Sequence, residues 1–229
     1  MNQWISKLNE TFIESGYLKM IPEGLLNTVL ITFGALIIGA VIGTLVAVTK
    51  YLCEGVKVLR PLKAVCDIYV TVIRGIPVVV QLLIFYFVIF ASSDNGVFVA
   101  TITFGINSGA YMAEIIRSGL NAVDYGQMEA GRSLGMSRIQ TMKKIILPQA
   151  IRYILPAVGN EFIALLKETS VAGYVAVMDL TRAGNLIRNN TFDAINPLLA
   201  VALIYLVIVV GLTKLMKVFE RRLAKGDKR

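Results

Sequence analysis

Arg74, Glu114, Glu161, Lys167 and Glu168 stand inside stretches of the chain that are otherwise long and apolar. A charge in such a stretch is costly at the centre of a bilayer, so each must pair, reach an interface or face a cavity. Polar companions are dense around them. Thr101, Thr103, Asn107, Ser108 and Tyr111 precede Glu114, and Asn160, Thr169 and Ser170 accompany the Glu161–Glu168 stretch. This set suits ion pairing and a polar interior in a membrane protein, and it does not suit bond chemistry. The chain has no histidine, no GxxxxGK[ST] phosphate loop and no evident nucleophile–base pair, so it is neither an ATPase nor a histidine-dependent metalloprotease. Cys53 and Cys66 are isolated, which excludes zinc sites of the Cys/His type and gives a disulfide little support; both read as small apolar residues.

A second kind of site is a surface rather than a pocket. Glu129-Ala130-Gly131-Arg132-Ser133-Leu134-Gly135 is followed nine residues later by Ile145-Ile146-Leu147-Pro148. The basic, amphipathic stretch between Arg117 and Arg152 that contains them cannot lie in lipid, so it must form a sizeable loop at a membrane face. Gln127 to Leu134 suits a short helix, Gly135 can end it with a positive φ, and Ser137 can cap a second helix running to Leu147 before Pro148. Two short helices joined by a glycine elbow present an ordered surface, and an ordered surface implies a partner.

The spacing Glu-Ala-x₄-Gly-x₉-Ile-x-Leu-Pro resembles the EAA loop of ABC importer permeases, the element that docks into a groove of a cytosolic ATPase. Arg74-Gly75-Ile76-Pro77-Val78-Val79-Val80-Gln81-Leu82, Ala110-Tyr111-Met112-Ala113-Glu114-Ile115-Ile116-Arg117, Lys167-Glu168-Thr169-Ser170 and Asp179-Leu180-Thr181-Arg182-Ala183-Gly184 narrow the resemblance to the polar amino-acid branch. It runs from about Gly24 to Arg222. Gly131 stands where the family name implies a second alanine, and Ser118 where a glycine pair is usual. A glycine there is expected to loosen the first docking helix, since Gly costs ~1 kcal/mol against Ala in a helix interior.

The elements that must position these residues follow from composition. The 229 residues are 56% hydrophobic with mean hydropathy +0.69, well above the ~45–50% apolar content of a soluble domain. This is an all-α integral membrane protein. Residues 1–22 are expected to form an amphipathic segment, with Trp4, Ile5, Leu8, Phe12 and Ile13 on one face, ended by Pro22 and Gly24. An interfacial helix and an ordinary surface helix both fit it. Residues 23–229 are read as one membrane domain with five spans: Leu25–Val48, Val65–Ala91, Val97–Ile116, Ile154–Met178 and Pro197–Leu212, at ~20 residues per span. Ala35, Gly39, Gly43 and Ala47 form a small-residue stripe for helix packing on the first. The second contains Arg74 beside Gly75 and Pro77, which implies an irregular segment. Arg74 there lines a polar path or snorkels to an interface.

Orientation follows from charge. Basic residues gather in three connections, at Lys50 to Lys63, Arg117 to Arg152 and Lys214 to Arg229, while Ser92–Gly96 has none and Asp179–Asn196 holds Arg182 and Arg188. The positive-inside rule then places the N-terminus outside, the tail in the cytosol, and the 121–148 loop on the cytosolic side. The net charge of +8 follows this distribution rather than a nucleic-acid stripe.

The resemblance supplies the rest as expectations. The chain would be the permease subunit of an importer in a bacterial cytoplasmic (inner) membrane, with no cofactor of its own, ATP and Mg²⁺ residing on a partner ATPase. A periplasmic or extracellular solute-binding protein and a second permease subunit, identical or homologous, would complete it. Glu129, Ala130, Gly131, Gly135, Ile145, Leu147 and Pro148 would carry the ATPase contact. A zwitterionic amino acid needs two ends: helix N–H groups with Arg74, Thr169 or Ser170 for the carboxylate, and Glu168 or Asp179 with Asn107, Ser108 and Tyr111 for the amino group or a basic side chain. Asp179 also reads as the cap of a helix starting near Leu180. A gradient-driven secondary transporter is the alternative, since it too needs broken helices and buried charge. Five spans do not divide into two inverted repeats, and such a carrier has no use for the loop.

Overall fold

The computed structural model describes residues 7–14, 16–54 and 56–225. Charge-free apolar runs become long helices because only a helix satisfies its own backbone inside lipid. The first, α1 (Met20–Cys53), has 34 residues. Pro22 and Gly24 do not break it but stand in its opening turns, where an N–H lacks an intrahelical partner in any case. The chain turns instead at Gly16, φ 72°. Trp4 and Ile5 lie outside the described residues. Glu10–Glu14 makes a single π-helical turn, and Thr11 is buried within it, its hydroxyl donating to Asp193 Oδ2 at 2.9 Å.

The partner of α1 is α4 (Gly96–Asn121). Ala35, Gly39, Gly43 and Ala47 are all buried, and the small side chains let the two backbones approach closely. A Cβ on Gly43 would run into Met112 Cβ and stand 2.9 Å from the backbone nitrogen of Ala113. Leu26, Phe33, Ile37, Val41 and Leu45, on the opposite face of α1, are exposed and form an apolar surface suited to lipid.

In sequence between α1 and α4 come α2 (Arg60–Gly75) and α3 (Val78–Ile84), the latter prolonged by a π-helical turn, Phe85–Ile89. The sequence suggests one span over Val65–Ala91 with an irregular segment. The structure bends the two halves by 104°. Ile76 is extended (φ −102°, ψ 131°) because the residue before a proline is pushed out of the helical region. Gln81, buried in α3, donates to the carbonyls of Ile73 at 2.7 Å and Ile76 at 2.8 Å, satisfying backbone groups that the bend has freed.

After the loop helices α5 (Gly126–Ser133) and α6 (Arg138–Thr141), a π-helical turn (Met142–Ile146) leads directly into α7 (Leu147–Glu168). The expected end before Pro148 does not occur, since Pro148 occupies the first turn of α7. The span expected over Ile154–Met178 stops at Glu168. Thr169–Val175 tightens into a 3₁₀ helix, and Ala176 turns the chain with φ 62°. The stretch read as an outer loop, Asp179–Asn196, contains α8 (Leu180–Thr191), a packed helix with Leu180, Ala183, Gly184 and Ile187 buried. Its start is held by α1: Asn27 Nδ2 donates to Met178 O at 2.8 Å and Leu180 N–H to Thr28 Oγ1 at 3.1 Å. In the turn to α9 (Asn196–Lys225), burial pushes the Asp193 carboxyl up, but hydrogen bonds from Asn196, Thr11 and backbone N–H groups outweigh it and hold the group below its ordinary value.

Among the described residues, Tyr17–Cys53, Gly96–Asn121 and Asn196–Arg222 are long and apolar enough to cross a membrane, and the bent α2–α3 pair is a fourth candidate. The α7 helix is not in that set, because Asn160, Glu161, Lys167 and Glu168 lower its hydropathy. Ile31, Leu82, Phe104 and Leu165 meet with Ala172 and Val175 in one cluster where α1, α3, α4 and α7 converge.

Candidate functional site

The loop between α4 and α7 is capped at each turn. Gly135 has φ 81°, Met136 N–H reaches Gly131 O at 3.1 Å and Gly135 N–H reaches Arg132 O at 3.0 Å, the paired bonds of a Schellman end. Ser137 then opens α6 with a capping box: its Oγ accepts from Gln140 N–H at 3.2 Å, and its own N–H donates to Gln140 Oε1 at 2.8 Å. The α5 helix runs through Gly131 to Ser133. Gly131 is buried against α6, where a Cβ would stand 2.5 Å from Thr141 Cγ2, so the missing methyl is what permits the contact. Arg138 ties α6 to the end of α1, lying 5.0 Å over the Tyr51 ring and 3.5 Å from Glu54.

Glu129, Ala130 and Gly135 are exposed, Ile145 is half-buried, and Leu147 and Pro148 are exposed at the start of α7. Beside them Tyr125, Leu134 and Ile139 expose 76%, 80% and 62% of their surface. Three large apolar side chains are thus exposed on a capped, otherwise polar loop.

The polar residues fall into three neighbourhoods. Near the bend, the Arg74 guanidinium lies 5.0 Å over the Tyr111 ring and 3.9 Å from Glu114 Oε2. Glu114 is the hub there, accepting from Arg117 at 2.8 Å and lying 3.8 Å from Lys50, which pairs with Asp67 at 2.7 Å. A recess of about 400 Å³ opens beside Arg74, Tyr111, Glu114 and Tyr153. Deeper, Ser108 donates its hydroxyl to Glu161 Oε1 at 2.9 Å, joining α4 to α7, and Asn107 is buried next to it in sequence. At the end of α7, Glu168 and Ser170 are half-buried and the Thr169 hydroxyl donates to Leu166 O at 2.8 Å.

Asp179 has other company. It is fully buried as the N-cap of α8, accepting from Arg182 N–H at 2.8 Å, with Oδ2 lacking a hydrogen-bond partner among the described residues. Its position is the one that capping chemistry predicts. A separate recess of about 530 Å³ lies nearby, lined by Asn27, Tyr86, Asp94 and residues 175–178.

From sequence Glu161 is a charge that needs a partner or a cavity but has no partner named, and Gln81 has no role assigned. Glu161 meets a serine 53 positions away, a pairing no local pattern announces. Gln81 had a signal: one amide within Val78–Ile84, just after a glycine–proline break.

An ordered, capped loop on a membrane bundle with a polar interior is the arrangement expected of a transport subunit, and residues 39–225 match the family described as "Binding-protein-dependent transport system inner membrane component". The chain belongs to this family. ArtQ of Bacillus subtilis (strain 168), an arginine transport system permease protein, is 35% identical over 206 residues, 89% of this chain and 94% of that one. A crystal structure of an amino acid ABC transporter with histidines contains a chain 40% identical to it, with TM-score 0.84, covering 92% of this permease and 98% of its match. An inward facing structure of the MetNI methionine ABC transporter, at 20% identity and TM-score 0.75, covers 90% and 97% and shows the shared fold. The gradient-driven alternative finds no support in these matches.

Proposed function

We propose that this permease carries a polar amino acid inward across the cytoplasmic membrane by alternating access, driven by ATP hydrolysis on a separate subunit. The observation that carries the reading is the capped α5–α6 loop, with Tyr125, Leu134 and Ile139 exposed beside Glu129. That surface fits the groove of a cytosolic ATPase, which would hold the ATP and Mg²⁺. An external solute-binding protein and a second permease subunit complete the assembly. Apolar α9, only 6% buried over its most apolar window, leaves a face that lipid or that second subunit can cover. Arg74 is proposed for the solute carboxylate, with Thr169 and Ser170 near the α7 end, and Glu168 or Asp179 with Asn107, Ser108 and Tyr111 for the amino group or a cationic side chain; Glu161 joins them through Ser108.

The test is reconstitution in proteoliposomes with the cognate ATPase and binding protein, offering arginine, glutamine and glutamate separately. Solute-loaded binding protein should stimulate ATP hydrolysis and uptake together. Glu168→Gln should lower uptake of the cationic solute by roughly tenfold, the scale of a lost charge-assisted hydrogen bond, while Asp179→Asn, which still caps α8, should change it less. Uptake driven by an ion gradient without ATP would overturn the reading.

Five crossings with the N-terminus outside are the orientation we favour, with the bent α2–α3 pair and α7 each counted as one. The cytosolic excess of Lys and Arg supports it. A membrane-impermeant thiol reagent should label Asp94→Cys in intact cells and leave Ser137→Cys unlabelled. The opposite pattern would invert the topology.

A further inference from the structure

One side chain joins the docking loop to the helix that carries Glu161 and Glu168. Gln149, third residue of α7, donates from Nε2 to the Ile145 carbonyl at 2.9 Å and to Gln127 Oε1 at 3.4 Å. Both amide hydrogens are thus engaged, one to the π-helical turn and one to the start of α5. The turn itself is the joint of a continuous helical run from Arg138 to Glu168. Leu147 N–H reaches back five residues to Met142 O, and Pro148 has no N–H to give to Lys144 O, the acceptor an α-helix would assign. Such turns are uncommon overall and frequent at functional sites. Losing or gaining one residue in the turn would rotate everything beyond it by about 100°. Gly131 packs α5 on Thr141 and Ile145, at the near side of the same joint.

We infer that Gln149 is a positioning residue of the transport cycle: by bridging Gln127 to the π-helical turn it makes α5 and the start of α7 move as one body. A push on the docking loop then turns α7, and with it Glu161 and Glu168, instead of being absorbed in the joint. The inference rests on the ATP-driven importer reading and adds the link that transmits the motion.

The readout is solute taken up per ATP hydrolysed by the full complex in proteoliposomes. Gln149→Leu and Gln127→Leu should each lower that ratio, by about tenfold for Gln149, the order of one hydrogen bond within a coupling equilibrium. The double variant should be no worse than Gln149→Leu alone, because residues in one bridge do not act additively. Gln127→Glu combined with Gln149→Lys, which replaces the bridge by an ion pair, should recover most of the ratio. An unchanged ratio, multiplying effects, or no recovery by the exchanged pair overturns the inference. If Gln149→Leu does not assemble, Gln127→Leu and the exchanged pair decide by the same ratio. Wild-type complex that takes up no solute on ATP would instead remove the importer reading.

Discussion

Gly135→Pro stops uptake and binding-protein-stimulated ATP hydrolysis while the chain remains inserted in the membrane. Gly135 has φ 81°, and proline is held near −65°. The substitution also removes the N–H that reaches Arg132 O. Both effects fall on the elbow between α5 and α6, where no described atom lies within 4 Å of a Cβ added at Gly135. The elbow must re-form with another path, so Leu134 and Ile139 no longer present one surface. Gly135→Ala separates angle from chain stiffness: a non-glycine residue in the left-handed region costs ~1–2 kcal/mol, so it should retain part of the activity. The measurements are uptake, stimulated hydrolysis and co-purification with the ATPase. Normal coupling in Gly135→Pro would mean the loop is only a tether.

Gly43→Val should damage the protein at an earlier stage, in the folding of the bundle. Its neighbours in α4 are Met112 Cβ, Ala113 N and Gly109 O, the last 3.0 Å from an added Cβ. None is the flexible end of a side chain, so α1 and α4 must separate along the whole stripe. Overpacking a core costs ~1–3 kcal/mol, and rigid backbone on one side places this site at or above the upper end. Yield in detergent and apparent Tm should both fall, and the loss should precede any change in solute preference. Gly211→Ala is the control, since nothing lies within 4 Å of the added methyl. Equal behaviour of the two variants would show that the close α1–α4 approach is dispensable.

The parts of the fold legible in sequence are those set by short-range rules. The Ala35–Ala47 stripe announces a close helix pair because small residues every four positions have one geometric use. Gly135 and Ser137 announce the loop because each residue type satisfies a backbone need within five residues. The rest is set by contacts between distant residues. Gly75 and Pro77 tell that the second segment breaks, but the 104° comes from what Gln81 and the core around Leu82 and Phe104 allow. Polar content made Asp179–Asn196 read as a loop, although its apolar side, Leu180, Ala183 and Ile187, packs inward. Pro148 was read as a stop because its missing N–H ends an α-helix, and the π-helical turn before it removes that objection. Of the site, Arg74 and Tyr111 were legible as polar residues and do meet. The Ser108–Glu161 bond was not, because nothing in either neighbourhood names the other.

The buried bond between Thr11 and Asp193 spans 182 residues of chain. During synthesis at ~5–20 residues per second, its two halves leave the ribosome on the order of 10–40 s apart. Through that interval α1 is already being inserted, and the N-terminal segment has no Asp193 to hold. Closure of this clasp is therefore a late event in biogenesis, reporting that α8 and the start of α9 have reached their places.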